Sequence, residues 1–115
     1  MPIRRLQLEN RLAGAVIHGG VVHLAGQVAD DPTREAEEQT VDILRQIDAL
    51  LAEAGTDRTR LLSVQVFLAD IADYAAMNAA YTTAFGDHRP ARSAVAVAGL
   101  PLGGLVEIEA WALVG

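Results

Sequence analysis

Pro90-Ala91-Arg92-Ser93-Ala94-Val95-Ala96-Val97, the connector Leu100-Pro101-Leu102-Gly103-Gly104, and then Leu105-Val106-Glu107-Ile108-Glu109-Ala110 form the most informative stretch of the 115-residue chain. Two runs of strand-forming residues flank a Pro/Gly break, which is the punctuation of a hairpin or a loop. A strand sends alternate side chains to one face, so Glu107 and Glu109 point the same way, with Trp111 next in the row. Carboxylates on a buried strand are costly unless they are paired or hydrogen-bonded. The first run contributes an arginine, Arg92. A guanidinium beside a carboxylate in a half-dry cleft can recognise a small organic acid and move its protons, so Arg92 and Glu107 are the first candidate site residues. On the residues alone, the favoured reading of Arg92 is a structural partner for Glu107 or Glu109 across an interface.

The rest of the chain supplies the layers around this stretch. Residues 3–8 read as an edge strand, and Ala15–His18 with Val21–Gly26 around Gly19-Gly20 reads as a hairpin on a two-glycine turn. Asp30-Asp31-Pro32-Thr33 offers capping side chains and a helix-starting proline. From about Arg34 to Glu53, Ala36, Thr40, Ile43, Leu44, Ile47, Leu50 and Leu51 follow the i, i+3/i+4 rule, and Gly55 stops the helix. Leu61–Leu68 reads as a strand in which Leu62, Val64, Val66 and Leu68 alternate with Ser63, Gln65 and Phe67. Asp70 or Asp73 then caps a second helix near 74–85, with Tyr74, Met77, Tyr81, Ala84 and Phe85 on one face. The order β-β-β-α-β-α-β-β predicts an α+β fold, a mostly antiparallel sheet of five or six strands with two helices on one face. Apolar residues remain for the other face, and homo-oligomerisation through it is the simplest way to cover them.

Composition narrows the functional classes. Residues 1–115 read as a single domain, with 51% hydrophobic but only 4% aromatic residues, hence an aliphatic core. The absence of cysteine excludes disulfides and a thiol nucleophile and fits a cytoplasmic location. No signal peptide or membrane span is apparent. The net charge of −6, with nine scattered arginines as the only Lys/Arg residues, argues against nucleic acid and anionic membranes as partners. His18, His23 and His88 lack metal-ligand spacing, and Ser63 and Ser93 lack an activating His/Asp arrangement. No metal or cofactor is expected.

The chain resembles the RidA (YjgF) family of small trimeric proteins from about Ala15 to Leu113. The landmarks are Ala25-Gly26-Gln27-Val28, Glu38-Gln39-Thr40, Leu51–Gly55, Val64–Asp70, Met77–Tyr81, Phe85-Gly86, Pro90-Ala91-Arg92-Ser93 and Val106–Ala110, in family order and spacing. The resemblance implies a chorismate-mutase-like fold, a homotrimer with clefts between subunits, and hydrolysis of 2-imino or enamine acids to 2-keto acids and ammonia. By the same resemblance Arg92 grips the substrate carboxylate and Glu107 positions water or exchanges protons. Gly26 lines the cleft with its backbone, and Asn78 helps to shape it. Ala25 and Ala94 fall on substrate-binding positions where the family often has serine and cysteine or threonine, and Leu12 falls where many members have tyrosine. These departures favour a diverged subgroup with a more apolar cleft. They keep open an alternative, a non-catalytic trimer that binds or senses small carboxylates. A chorismate-mutase-like or enamine-handling activity is a further alternative, and the acidic balance disfavours a ribonuclease.

Overall fold

Period-two alternation puts Ala15 and Ile17, Val22 and Leu24, Val64, Val66 and Leu68, and Val106, Ile108, Ala110 and Ala112 into one buried layer. A computed structural model, which describes residues 2–115, arranges them in one six-stranded sheet. The strands are β1 (Arg4–Leu8), β2 (Ala13–His18), β3 (Val21–Val28), β4 (Leu61–Leu68), β5 (Ala91–Ala96) and β6 (Val106–Leu113). Their spatial order is β1-β2-β3-β6-β4-β5. Neighbours are antiparallel except for β4 and β5, which run parallel. Helices α1 (Ala36–Ala54) and α2 (Tyr74–Phe85) pack together, and their apolar stripes close the core against the buried layer.

Local chemistry explains most element ends. Gly19 and Gly20 have φ of 60° and 81°, the left-handed pair that a two-residue hairpin turn requires, and His18 pairs with Val21 across it. Gly55 ends α1 in the same region, with φ 89°. Asp70 accepts from the Ala72 amide at 2.9 Å and caps a single 3₁₀ turn, Ile71–Asp73, which leads into α2.

Of the two readings of the Pro/Gly break, hairpin or loop, the loop holds, because β4 lies between β5 and β6. Two expectations need correcting. Helix α1 starts at Ala36 without a side-chain cap, since Asp31 spends its carboxylate on the Thr33 amide and hydroxyl within the preceding turn. Leu62 is not in the buried row: the register of β4 against β6 shifts between Leu61 and Ser63, so Leu61 goes inward and Leu62 is exposed.

One polar side chain is built into the core. Gln39 is only 1% exposed. Its Nε2 donates to the carbonyls of Pro32 (3.1 Å) and Arg34 (2.8 Å), while its Oε1 accepts from the Leu105 amide at 2.9 Å. It thus ties the entry to α1 to the entry to β6.

The face of the sheet away from the helices carries Glu107, Glu109, Trp111 and Leu113 from β6, beside Phe67 and Gln65 of β4, Val95 of β5 and His23 of β3. Val95, Trp111 and Leu113 are each at least 40% exposed there, an unusual amount of large apolar surface for one sheet face. His23 stacks on Trp111 at 4.4 Å and approaches Glu109, Nε2 to Oε2, at 3.6 Å. Among the described residues no helix is long and apolar enough to cross a membrane.

Candidate functional site

Arg92 enters β5 beside Val64, so its side chain leaves the sheet on the helix side and meets α2. Residues 74, 78 and 81 recur at helical spacing and present Tyr74, Asn78 and Tyr81 to it. Asn78 Oδ1 accepts from Arg92 Nη1 at 2.7 Å, and the Tyr74 hydroxyl accepts from Nη2 at 3.1 Å. The guanidinium carbon stands 4.7 Å from the centre of the Tyr81 ring and 5.8 Å from that of Tyr74, both within cation–π range. Tyr81 stacks in turn on Phe85 at 4.2 Å. The Tyr81 hydroxyl is buried without a hydrogen-bond partner among the described residues, and burial pushes its phenol above the ordinary value while the Arg92 charge pulls it back.

This guanidinium lines a cleft of about 400 Å³, completed by Asn78, Tyr81, Thr82, Phe85, Gly86, His88, Arg89 and Pro90. The size is ordinary for a small-molecule site. Among the described residues Arg92 forms no ion pair, so neither Glu107 nor Glu109 is its structural partner within the chain. A partly buried guanidinium fixed by an amide and two phenol rings, with no ion-pair partner among the described residues, has the chemistry to receive an anion.

Glu107 lies on the opposite face of the sheet, in the row of Phe67 and Val95. Its carboxylate sits over Gly26: a Cβ built there would come within 2.5 Å of Oε2 and 2.9 Å of the carboxyl carbon. Gly26 and the neighbouring Ala25 fall where the β3–β6 register shifts, between Leu24 and Gln27, and this bulge brings the backbone up to the acid. Burial raises the Glu107 carboxyl above its ordinary value of 4.5, and the Glu109 charge adds to the effect. The folded chain therefore holds this proton more tightly than the unfolded chain. The resulting stabilisation is full at low pH and lost as pH rises through the raised value. Glu107→Gln is accordingly expected to be more stable than the parent at neutral pH, with the difference vanishing below about pH 4. Urea unfolding at the two pH values, at one protomer concentration, checks this.

The candidate residues therefore fall into two groups. Arg92 and Asn78 meet directly, and Ala94, beside Val66 on β5, shares their face. Glu107, Gly26 and Ala25 form the second group across the sheet. Leu12 lies in the β1–β2 connection and is exposed. Sequence reasoning placed Tyr74 and Tyr81 in the apolar stripe of α2 and missed their contact with Arg92. Their spacing about Asn78 was the available signal.

Comparison with known proteins identifies the family. The family model described as endoribonuclease L-PSP matches residues 3–114. A crystal structure of a YjgF-family member from Neisseria meningitidis superposes with TM-score 0.92 at 35% identity, over 100% of this chain and 97% of that one. A RutC family protein of Pyrococcus abyssi is 38% identical over 102 residues, 84% of this chain and 80% of its own length. A 2-iminobutanoate/2-iminopropanoate deaminase of Rattus norvegicus is 36% identical over 107 residues, 88% of this chain and 78% of its own length. The chain, with its chorismate-mutase-like α+β fold, belongs to the YjgF/RidA family.

Proposed function

We propose that the protein hydrolyses 2-imino acids to 2-keto acids and ammonia, at sites built between copies of the chain in a homotrimer. The observation that carries this reading is the unpaired Arg92 guanidinium, held by Asn78 and Tyr74 at the wall of a cleft. The likeness to a deaminase over 88% of the chain supports it. So does the separation of Arg92 from Glu107 by the sheet: a second copy seated on the apolar outer face would bring its neighbour's cleft to the Glu107 side.

In this mechanism Arg92 takes the substrate carboxylate and fixes the C=N bond in place. Water adds to the imine carbon as Glu107 of the adjoining copy accepts its proton. Glu107 returns that proton to the nitrogen to give the neutral carbinolamine, then carries the hydroxyl proton to the nitrogen as the carbon–nitrogen bond breaks, so that C=O forms and ammonia leaves. A carboxyl raised by burial suits a group that both accepts and returns a proton. General acid–base assistance of this kind is typically worth about 10²- to 10⁴-fold.

The test is an imine-decay assay, with an amino-acid oxidase generating the imine and semicarbazide trapping what survives. Faster loss of imine in the presence of the protein supports hydrolysis. Binding of 2-keto acids without any acceleration would instead make the chain a carboxylate-binding module, a reading that the apolar Leu12, Ala25 and Ala94 leave available. The acidic balance and the scattered arginines give no support to RNA as substrate.

A further inference from the structure

The net charge of the chain is −6, yet no Asp or Glu is among the residues lining the Arg92 cleft. Its titratable lining groups with a positive form are Arg92, Arg89 and His88. Arg89, three residues before Arg92, is exposed and lines the same cleft. Pro90 next to it fixes its own φ and disfavours helical backbone at residue 89, which narrows the paths this second side chain can take. Among the described residues Arg89 makes no ion pair, and its one hydrogen bond is a long one, 3.3 Å, to the carbonyl of Asp87. Arg92 has five N–H donors; Asn78 and Tyr74 engage two and the Met77 sulfur, at 3.9 Å, a third, leaving Nε and one more for a ligand.

One carboxylate satisfies one guanidinium. Two unpaired guanidiniums on a single cleft, in a chain with surplus negative charge elsewhere, call for a ligand with two acidic groups. We infer that the site is selective for dicarboxylic 2-imino acids, with Arg92 taking the carboxylate next to the imine and Arg89 the distal one. This rests on the proposed function for the role of Arg92 and adds the substrate class. Arg89 is then a specificity-determining residue.

The test compares 2-iminoglutarate, formed by glutamate oxidase, with 2-iminobutanoate, formed by a general amino-acid oxidase, in the decay assay. Titration calorimetry with 2-oxoglutarate and 2-oxobutanoate provides a readout that needs no turnover. The dicarboxylates are expected to be favoured about tenfold or more in both, the scale of one charge-assisted hydrogen-bonded contact. Arg89→Ala should lower the dicarboxylate values about tenfold more than the monocarboxylate ones, and Arg89→Lys should restore part of the preference. Equal hydrolysis and equal binding of the two classes would overturn the inference while sparing the hydrolase reading. A binding preference without hydrolysis would do the reverse. A preference untouched by Arg89→Ala, or displacement of 2-oxoglutarate by inorganic phosphate or an oligoribonucleotide at lower concentration, would also overturn it.

Discussion

Arg92→Ala is expected to lower kcat/KM for imine hydrolysis by about 10²-fold or more, the scale of removing one partner from a desolvated, hydrogen-bonded charge pair. In the proposed mechanism this guanidinium orients the substrate carboxylate, and Arg92 is the cleft guanidinium that Asn78 and Tyr74 hold in place. The fold should survive, because Arg92 opens an edge strand and its partners Asn78 and Tyr74 can turn to water. Size-exclusion chromatography with light scattering on the variant therefore accompanies the kinetics. Arg92→Lys should recover little, since an ammonium offers neither the planar fork nor the face that rests on Tyr81. Undiminished turnover by Arg92→Ala in an intact assembly would remove the central group of the proposed mechanism.

Gln39→Ala is expected to be the most damaging single change to stability outside the aliphatic core. Three backbone groups depend on that one amide: the carbonyls of Pro32 and Arg34 and the N–H of Leu105. A buried backbone group left without a partner costs about 1–3 kcal/mol, and relaxation of the loop around Pro32 recovers part of the sum. The net loss should be about 3 kcal/mol, read as a lower urea midpoint at fixed protomer concentration with an unchanged m-value. Gln39→Glu separates the roles, since it keeps an acceptor for Leu105 but loses the donor to both carbonyls. A loss below 1 kcal/mol for Gln39→Ala would mean that water replaces the amide.

Local chemistry announced itself in the sequence, and long-range partnership did not. The two-glycine turn, the strand Leu61–Leu68, the helix 74–85 and the stop at Gly55 follow from residue types acting within a few positions, and all four stand where expected. The pairing of β5 with β4 depends on contacts about thirty residues apart along the chain, so residue types alone leave hairpin and loop equally open at the Pro/Gly break before β6. The bulge at Leu62 escaped notice for the same reason, since only the register against β6 reveals it.

The candidate site divides along the same line. Arg92 and Glu107 were recognisable as residues, but which sheet face each takes depends on register, and they take opposite ones. Gln39 left a faint trace: an amide inside the stripe of Ala36, Thr40 and Ile43 has no reason to be there unless it is bonded.

The closeness of Gly26 to Glu107 has a bearing on how such chains can drift. A methyl at position 26 and a full-length acid at 107 claim the same volume, so the present placement of the carboxylate and any larger residue at 26 exclude one another. Because the obstacle is the far end of a flexible side chain, the backbone tolerates the exchange and the acid swings away. The two positions should therefore vary as a linked pair among relatives. A descendant that has lost its glycine here has either shortened its acid or aimed it elsewhere, and has given up the carboxylate placement that the proposed mechanism uses.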